Sequence, residues 1–234
     1  MKTIGVIGGM GPQATIDFEQ KIHDVANKLI PPHINQGYPP MVVYYYRNDP
    51  RVLRDGTHPT EPLEPSEELL GVAKKLGLHA DFLVMPSNTP HFFKDQIENA
   101  SGIPLLSIVD VTIEEILLRK LTSVGVLAIG DTLHDALYQN QLEIHDIKCV
   151  VPTDELTEGL DKSVWAVMEG EDPLSVSKPA HQAISYLQSR DVDAIILGCS
   201  EIALMIRDDL PQANLINPTQ LLAEKAVNYA INVK

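Results

Sequence analysis

Short apolar runs alternate with longer amphipathic stretches along the chain. The predicted strands are rich in branched aliphatic residues, and they are Thr3–Ile7, Met41–Tyr45, Phe82–Met85, Leu105–Ser107, Val124–Ile129, Lys148–Val151, Ala194–Leu197 and Leu215–Ile216. The predicted helices lie between them, and they are Pro12–Leu29, Ser66–Leu76, Ile113–Arg119, Thr132–Glu143, Ser163–Met168, Pro173–Ser189, Glu201–Leu210 and Thr219–Asn232. Strands that are separated by helices of this length favour parallel sheets in an α/β fold.

The chain also contains two similar segments, residues 81–88 and 193–200. Each begins with an aspartate before an apolar run, and a small nucleophile-type residue stands six positions after it, Ser87 in the first segment and Cys199 in the second. Two buried strands can also resemble each other by chance, so the repeat is a hypothesis. Ligands in open α/β sheets bind outside the carboxyl ends of the strands. Two lobes related by a pseudo-two-fold axis would therefore present both residues to one cleft.

We therefore predict an α/β protein of two pseudo-symmetric domains, each a parallel β-sheet flanked by helices, with a cleft between them. The 234 residues are enough for two domains of roughly 100 residues each. We assign residues 1–110 plus 216–234 to the first domain and residues 111–215 to the second. The proline-rich segment from Pro31 to Glu67 is predicted to be mostly loop, either a lid over the cleft or a loop without that role.

Composition and charge argue against several classes of partner. The formal net charge is −14, and such a surface repels the phosphates of nucleic acids. The apolar runs are far shorter than a membrane helix needs, and the N-terminal apolar stretch is interpreted as a strand rather than a signal peptide. We therefore expect a cytoplasmic protein. The two cysteines form no Cys-x-x-Cys pair and the histidines no His-x-x-x-His pair, so neither a disulfide framework nor a metal site is expected.

Cys199 is the strongest candidate for chemistry. It follows a predicted strand and precedes a predicted helix, whose positive N-terminal end favours a thiolate. A buried, inert cysteine is the alternative, and Cys149, inside a strand pattern, is interpreted in that way. At the matching place in the first half, Asn88 and Thr89 would either bind a carboxylate beside helix-start N–H groups or cap the helix, and the two roles are compatible.

The loop from Gly8 to Pro12 has some features of a dinucleotide site. Gly9, Gly11 and Ala14 follow a strand and open a helix, as in that fingerprint. The acidic residue expected after the second strand is missing, since that strand ends in tyrosines and Arg47. We expect no nicotinamide cofactor, and instead a loop that brings backbone donors close to a small anion. The Gly-x-Ser-x-Gly motif of many serine hydrolases is also absent.

Three segments together resemble the aspartate/glutamate racemase family over nearly the full length of the chain. They are residues 4–12, residues 85–91 and residues 197–202. The resemblance implies two pseudo-symmetric α/β domains, usually in a homodimer, a small amino acid as substrate, and no cofactor. It also implies two cysteines that flank the substrate α-carbon, one as the base and the other as the acid. Cys199 matches the second cysteine, whereas the first falls on Ser87, which is the main departure.

The resemblance further implies which residues contact the substrate. These are Met10, Asn88, Thr89, Pro90, Ser200 and Glu201. The arginine that binds a substrate carboxylate would be Arg51, with Arg47 and Arg54 close enough to blur the assignment. The family lysine falls around Asp161-Lys162, and the spacing allows it to coincide with the aspartate. The sequence therefore leaves open whether the protein selects substrates with an acidic side chain.

A serine in the first catalytic position should make the rates of proton removal from the two substrate enantiomers unequal. A hydroxyl is far harder to ionise than a thiol, so Ser87 is a poor base without a helper. His91 is either that helper or a packed surface histidine. We predict that Cys199 removes the proton from one enantiomer efficiently and that Ser87, alone or with water, mainly returns a proton. The alternatives are a cysteine-dependent isomerase or lyase of the maleate isomerase type, in which Cys199 is a nucleophile, and a non-catalytic protein that binds a small carboxylate.

Overall fold

The computed structural model describes residues 1–31, 37–54, 56, 58–206 and 214–232. The chain divides into two compact units. The first consists of Met1–Ile108 with Thr219–Lys234, and the second of Val109–Pro218. Within the described ranges, no helix combines the length and the apolar character that a membrane crossing requires.

The first unit is built on a four-stranded parallel sheet. Its strands are β1 (Ile4–Gly8), β2 (Met41–Tyr45), β3 (Phe82–Val84) and β4 (Leu105–Leu106). Their order across the sheet is β2-β1-β3-β4. The helices of this unit are α1 (Pro12–Leu29), α2 (Glu67–Gly77), a 3₁₀ helix (Thr89–Phe93), α3 (Lys94–Ser101) and the C-terminal helix (Pro218–Ile231), which is α10 in chain order.

The second unit has the same architecture. Its strands are β5 (Ser123–Leu127), β6 (Lys148–Val150), β7 (Ala194–Leu197) and β8 (Leu215–Ile216). They are parallel and follow the order β6-β5-β7-β8. Its helices are α4 (Ile108–Leu118), α5 (Gly130–His134), α6 (Gln139–Ile144), α7 (Asp154–Met168), α8 (Lys178–Gln188) and α9 (Ser200–Ile206). The predicted α/β class with two helix-flanked parallel sheets is confirmed.

Several predicted helices were wrong in extent. The single helix predicted over Thr132–Glu143 is two short helices, and between them Ala136 adopts a positive φ of 57°, which a continuous right-handed helix does not allow. Helix α4 begins five residues earlier than predicted and α7 nine residues earlier, whereas α8 begins later than predicted. Helix α3 was missed because only one of its residues, Ile97, is buried, so its apolar period is weak. The end of the predicted helix Glu201–Leu210 lies outside the described residues.

The proline-rich segment contains strand β2 and otherwise no helix or strand among its described residues before α2. Two isolated antiparallel bridges occur in it, one between Arg51 and Pro65 and one between Leu53 and Pro59. Parts of this segment lie outside the described residues. The bridges hold Arg51 beside the start of α2.

An aspartate closes the same hydrogen-bonded ring in each unit. Asp81 accepts the Thr3 N–H at 2.6 Å through Oδ2, and its own N–H donates to the Thr3 carbonyl at 2.9 Å. Asp193 accepts the Ser123 N–H at 3.0 Å, and its own N–H donates to the Ser123 carbonyl at 2.8 Å. Asp193 Oδ2 also accepts the Thr122 N–H at 2.8 Å. Hydrogen bonds from these backbone groups lower the pKa of Asp193. The same pair of contacts in both units supports the internal repeat.

The strand registers agree with the same alignment of the two halves. Gly5 pairs with Leu83 in the first sheet, and Gly125 pairs with Ile195 in the second. A Cβ atom at Gly5 would lie 2.7 Å from Leu83 Cδ2 and 2.9 Å from Ala80 Cβ, so a larger residue there would have to displace its neighbours. Ser87 and Cys199 therefore follow equivalent strands, β3 and β7, each at the carboxyl end of its own sheet.

Gly9, directly after β1, has a positive φ of 93°, and a Cβ atom there would lie 2.3 Å from the Tyr46 carbonyl oxygen. We predict that Gly9→Ala lowers the free energy of unfolding by about 2 kcal/mol or more, because it adds backbone strain and a steric clash. Gly71, inside α2, is the matched control because a Cβ there meets nothing within 4 Å. Gly71→Ala should be neutral or stabilising by up to about 1 kcal/mol. Urea denaturation measures both, and equal losses would contradict this account.

Candidate active site

Met10 lies in the glycine-rich loop that follows β1 in the first unit. Met10 is half-buried and packs against the apolar cluster of that unit. The Gly9 N–H donates to Thr15 Oγ1 at 2.8 Å, and the Thr15 hydroxyl donates to the Gly11 carbonyl at 3.0 Å. The expectation that this loop offers its backbone donors to an anion is therefore wrong for Gly9, because a buried threonine already takes its hydrogen.

The segment after β3 holds four of the predicted site residues together. Ser87 and Thr89 are half-buried, whereas Asn88 and Pro90 are buried. Residues Thr89–Phe93 form the 3₁₀ helix, and the Asn88 side chain makes no capping hydrogen bond to it. The capping role predicted for Asn88 is therefore wrong. Since β1 and β3 are neighbours, Met10 and Ser87 follow adjacent strand ends of one sheet.

His91 is neither a surface histidine nor positioned as a base for the serine hydroxyl. It is buried, and its Nδ1 lies 2.8 Å from the Ser87 carbonyl oxygen. Its Nε2 accepts the Ile108 N–H at 3.1 Å. Since Nε2 accepts this hydrogen, Nδ1 carries the ring proton and donates it to the carbonyl. Both readings of His91 from the sequence are corrected: it is a buried bridge between the backbone of Ser87 and that of Ile108.

We predict that His91→Ala lowers the free energy of unfolding by about 2 kcal/mol or more, because both of these buried hydrogen bonds are lost. His91→Gln retains an amide that can donate and accept, so it should lose less. Urea denaturation of the two variants checks this. A stability unchanged in His91→Ala would show that the bridge contributes little.

Arg51 is held by a bidentate ion pair with Asp49. Its Nε lies 3.0 Å from Asp49 Oδ1 and its Nη2 lies 3.0 Å from Asp49 Oδ2. The Arg51 side chain is 13% exposed. Paired contacts of this kind fix the plane of a guanidinium. By contrast, Arg47 lies over the Tyr45 ring and Arg54 is exposed, so Arg51 is the most firmly oriented of the three candidate arginines.

Cys199, Ser200 and Glu201 lie together where β7 ends and α9 begins. Cys199 is buried in the apolar cluster of the second unit. Its Sγ donates to Glu201 Oε2 at 3.2 Å, and the Ser200 hydroxyl donates to the same oxygen at 3.1 Å. Glu201 is only 3% exposed. The candidate catalytic thiol is therefore in direct contact with a buried carboxylate.

Burial raises the pKa of Cys199 well above its ordinary value, and the charge and hydrogen bond of Glu201 raise it further. The backbone N–H groups of Glu201 and Ile202 lower the pKa, but by less. The start of α9 does favour a thiolate, as expected, but its effect on the pKa is smaller than those of burial and of Glu201. The thiol is the resting form, because the apolar surroundings and a carboxylate two residues away outweigh the positive end of α9.

At the end of the neighbouring strand β5, Asp161 from α7 accepts the Gly130 N–H at 3.0 Å. Lys162 is exposed and forms an ion pair with Glu158 at 2.7 Å. The aspartate, and not the lysine, is thus held at the carboxyl end of this sheet.

Cys149 lies elsewhere, in β6, and burial raises its pKa to about 11, which is consistent with a structural thiol.

Tyr138 was missed as a neighbour of the cysteine. It is fully buried, and a Cβ atom at Gly198 would lie 3.3 Å from its ring. Burial raises the pKa of Tyr138. Its position between α5 and α6 follows from the break at Ala136, so a sequence pattern that predicts one continuous helix could not place it here.

The fold and these residues define a class of two-unit α/β protein, with a serine and a cysteine at equivalent strand ends of two parallel sheets. A family model for Asp/Glu/Hydantoin racemase matches residues 7–226. The chain therefore belongs to the Asp/Glu/Hydantoin racemase family, and since racemases are isomerases, the predicted enzyme class is confirmed at the level of the family.

Individual relatives agree with this assignment. The chain is 26% identical over 231 residues to the broad specificity amino-acid racemase RacX of Bacillus subtilis, and the match covers 96% of each chain. Among solved structures, an aspartate racemase from Picrophilus torridus is similar with a TM-score of 0.80 and 23% identity, over 98% of this chain and 94% of that one. An aspartate racemase homologue from Pyrococcus horikoshii has a TM-score of 0.76 and 24% identity, over 98% and 99% of the two chains. These structures share the fold described above.

Proposed function

We propose that this protein racemises or epimerises a small amino acid by α-proton transfer, without a cofactor, and that Cys199 and Ser87 act on opposite faces of the α-carbon. The observation that carries the proposal is the equivalence of these two residues. Each stands six positions after an aspartate that closes the same hydrogen-bonded ring, in units of the same strand order. Membership of a racemase family and similarity to an amino-acid racemase support it.

The chemistry of the two groups makes the roles unequal. Racemisation needs a base on one face of the α-carbon and an acid on the other. A thiol is intrinsically far easier to ionise than a hydroxyl, so it can serve as either even though burial raises the pKa of Cys199. Both ring nitrogens of His91 are hydrogen-bonded to backbone groups, so His91 is not placed to act as a base for the Ser87 hydroxyl. We infer that Cys199 is the proton acceptor and that Ser87, backed by water, is the proton donor.

The remaining predicted residues would bind the substrate. Arg51, oriented by Asp49, is the proposed partner of the substrate carboxylate, since a planar guanidinium suits that geometry. The polar groups proposed to contact the substrate are those of Asn88, Thr89, Ser200 and Glu201, and the apolar contacts are those of Met10 and Pro90. The homodimer implied by the family resemblance and the cytoplasmic location expected from the sequence stay predictions.

Asp161 should influence which amino-acid side chains the protein accepts in its substrate. A carboxylate held at the carboxyl end of the second sheet repels an acidic side chain and attracts a cationic or hydrogen-bond-donating one. A substrate panel should therefore include basic and hydroxylated amino acids beside aspartate and glutamate.

We predict that α-proton exchange in heavy water proceeds at least about tenfold faster from one enantiomer than from the other, because only one face has an efficient base. Ser87→Cys should narrow this difference, since it restores a thiol on the second face. Mass spectrometry of each enantiomer, incubated separately, measures the incorporated deuterium. Equal rates in the natural protein would defeat the assignment of unequal roles, and no gain in Ser87→Cys would argue against Ser87 contacting the substrate.

We also predict that Cys199→Ala lowers exchange from the faster enantiomer by at least about a hundredfold, as expected for loss of the base. Cys149→Ala is the matched control, and it should leave the rate unchanged because that thiol lies in β6, away from α9. A covalent adduct between substrate and Cys199 would instead indicate a nucleophilic isomerase or lyase. Tight binding of a carboxylate with no exchange from any amino acid would indicate a non-catalytic relative.

A further inference from the structure

Ser87 and Cys199 differ in how the chain holds their backbone carbonyl groups. In the second unit the Cys199 carbonyl accepts the N–H of Ile202, three residues later, at 3.2 Å. In the first unit the residue at the equivalent position is Pro90, which has no N–H to donate. The backbone hydrogen bond that holds the carbonyl of the cysteine is therefore not available to the carbonyl of the serine.

The imidazole of His91 takes the place of the missing N–H. Its Nδ1 donates to the Ser87 carbonyl at 2.8 Å, and the same nitrogen lies at a longer 3.3 Å from the Asn88 carbonyl oxygen. His91 is only 7% exposed, so this hydrogen bond lies in a low-dielectric setting, where it is stronger than in water. The residue equivalent to His91 in the second unit is Ala203, whose methyl side chain cannot form such a bond.

The other ring nitrogen of His91 fixes the imidazole to a part of the chain that is distant in sequence. Nε2 accepts the N–H of Ile108 at 3.1 Å, and Ile108 begins α4 just after β4. Strand β4 pairs with β3, the strand that leads to Ser87. The backbone of Ser87 is therefore tied to one sheet by two routes, along the chain from β3 and through the imidazole to the end of β4. Two routes restrict its position more than the chain alone would.

We propose that His91 is a positioning residue for Ser87, and that it keeps the serine hydroxyl where it can return a proton to the α-carbon of the substrate. The proposal rests on the proposed function. It assigns to His91 no contact with the substrate, because both ring nitrogens are hydrogen-bonded to backbone groups. In this role His91 sets how often removal of the α-proton ends in inversion of the α-carbon.

Two outcomes are open to the carbanion that proton removal creates. The Cys199 thiolate forms an S–H bond with the α-proton, and the electron pair of the broken C–H bond stays on the α-carbon. A proton returned by Cys199 restores the original enantiomer, whereas a proton delivered by Ser87 gives the opposite one. Ser87 then regains a proton from water, and the thiol releases its proton to solvent. Because proton delivery depends steeply on geometry, a shift of Ser87 should reduce inversion and leave proton removal by Cys199 in place.

The test follows both outcomes with the full chain in heavy water, starting from the enantiomer that exchanges faster. Deuterium in the opposite enantiomer reports inversion, and deuterium in the original enantiomer reports return on the same face. Chiral chromatography with mass spectrometry measures both. We expect the ratio of inversion to return to fall at least about tenfold in His91→Ala. Loss of folded protein lowers both products together and leaves this ratio unchanged, so a purely structural role of His91 would not move it.

Two conservative variants separate the two ring contacts. In His91→Asn the side-chain amide lies close to the position of Nδ1 and can still donate to the Ser87 carbonyl. In His91→Gln the amide lies close to the position of Nε2 and can still accept the Ile108 N–H. If the bond to the serine carbonyl positions the hydroxyl, His91→Asn should keep more of the ratio than His91→Gln. The opposite order would overturn the proposal.

His181 provides a matched control for the loss of an imidazole. Its Nδ1 lies 2.9 Å from the carbonyl oxygen of Ser177, four residues earlier, which is the spacing of His91 and Ser87. It belongs to α8 in the second unit, so His181→Ala should leave the ratio unchanged. A fall as large as that of His91→Ala would count against a specific effect on the serine.

A double variant tests whether His91 acts through Ser87. In a protein that already carries Ser87→Ala, the further change His91→Ala should not alter the ratio, because the hydroxyl to be positioned is gone. A further fall would show that His91 acts on another group, and the proposal would be wrong.

Failure of the proposed function gives a different signature. A natural protein that exchanges no α-proton with any amino acid would defeat the racemase proposal, and the role of His91 with it. Exchange without inversion in the natural protein would defeat the assignment of Ser87 as the proton donor. Exchange with inversion, at a ratio that none of the His91 variants changes, would defeat the role of His91 alone.

Discussion

The pairing of two neighbouring parallel strands within each unit determines where the candidate catalytic residues stand. β1 pairs with β3 in the first sheet, and β5 pairs with β7 in the second. In each sheet an aspartate at the start of the later strand exchanges hydrogen bonds with the residue that precedes or begins the earlier one. These contacts set the register, and the register sets which residue emerges at the carboxyl end. A slip by one residue would turn the serine or the cysteine toward the opposite face of its sheet.

The environment of Cys199 shows why a strand-end cysteine cannot be assigned a charge from its position alone. The start of a helix favours a thiolate, and the backbone N–H groups of α9 do lower the pKa. Burial and the Glu201 carboxylate act in the opposite direction and prevail.

The sequence predicted the eight strands well because most are short, buried runs of aliphatic residues, which is a strong signal, although β2 and β6 are only partly buried. It predicted the helices less well. The break at Ala136 and the polar helix α3 leave weak traces in the apolar pattern. For the site, residues adjacent to the strand ends could be named because parallel α/β sheets place ligands there. The bridging role of His91 and the nearness of Tyr138 to Cys199 could not, since both depend on contacts between residues distant in the chain.

What the sequence by itself determined is the list of elements, the internal repeat and the identities of the residues at the strand ends, because apolar periodicity and spacing are local properties. What only the tertiary structure decided is the state of those residues. Whether Cys199 rests as a thiol, whether Arg51 is oriented by Asp49, and whether His91 serves the backbone depend on burial and on hydrogen-bond partners. These are properties of the packed chain, since desolvation and contact arise only when the elements come together.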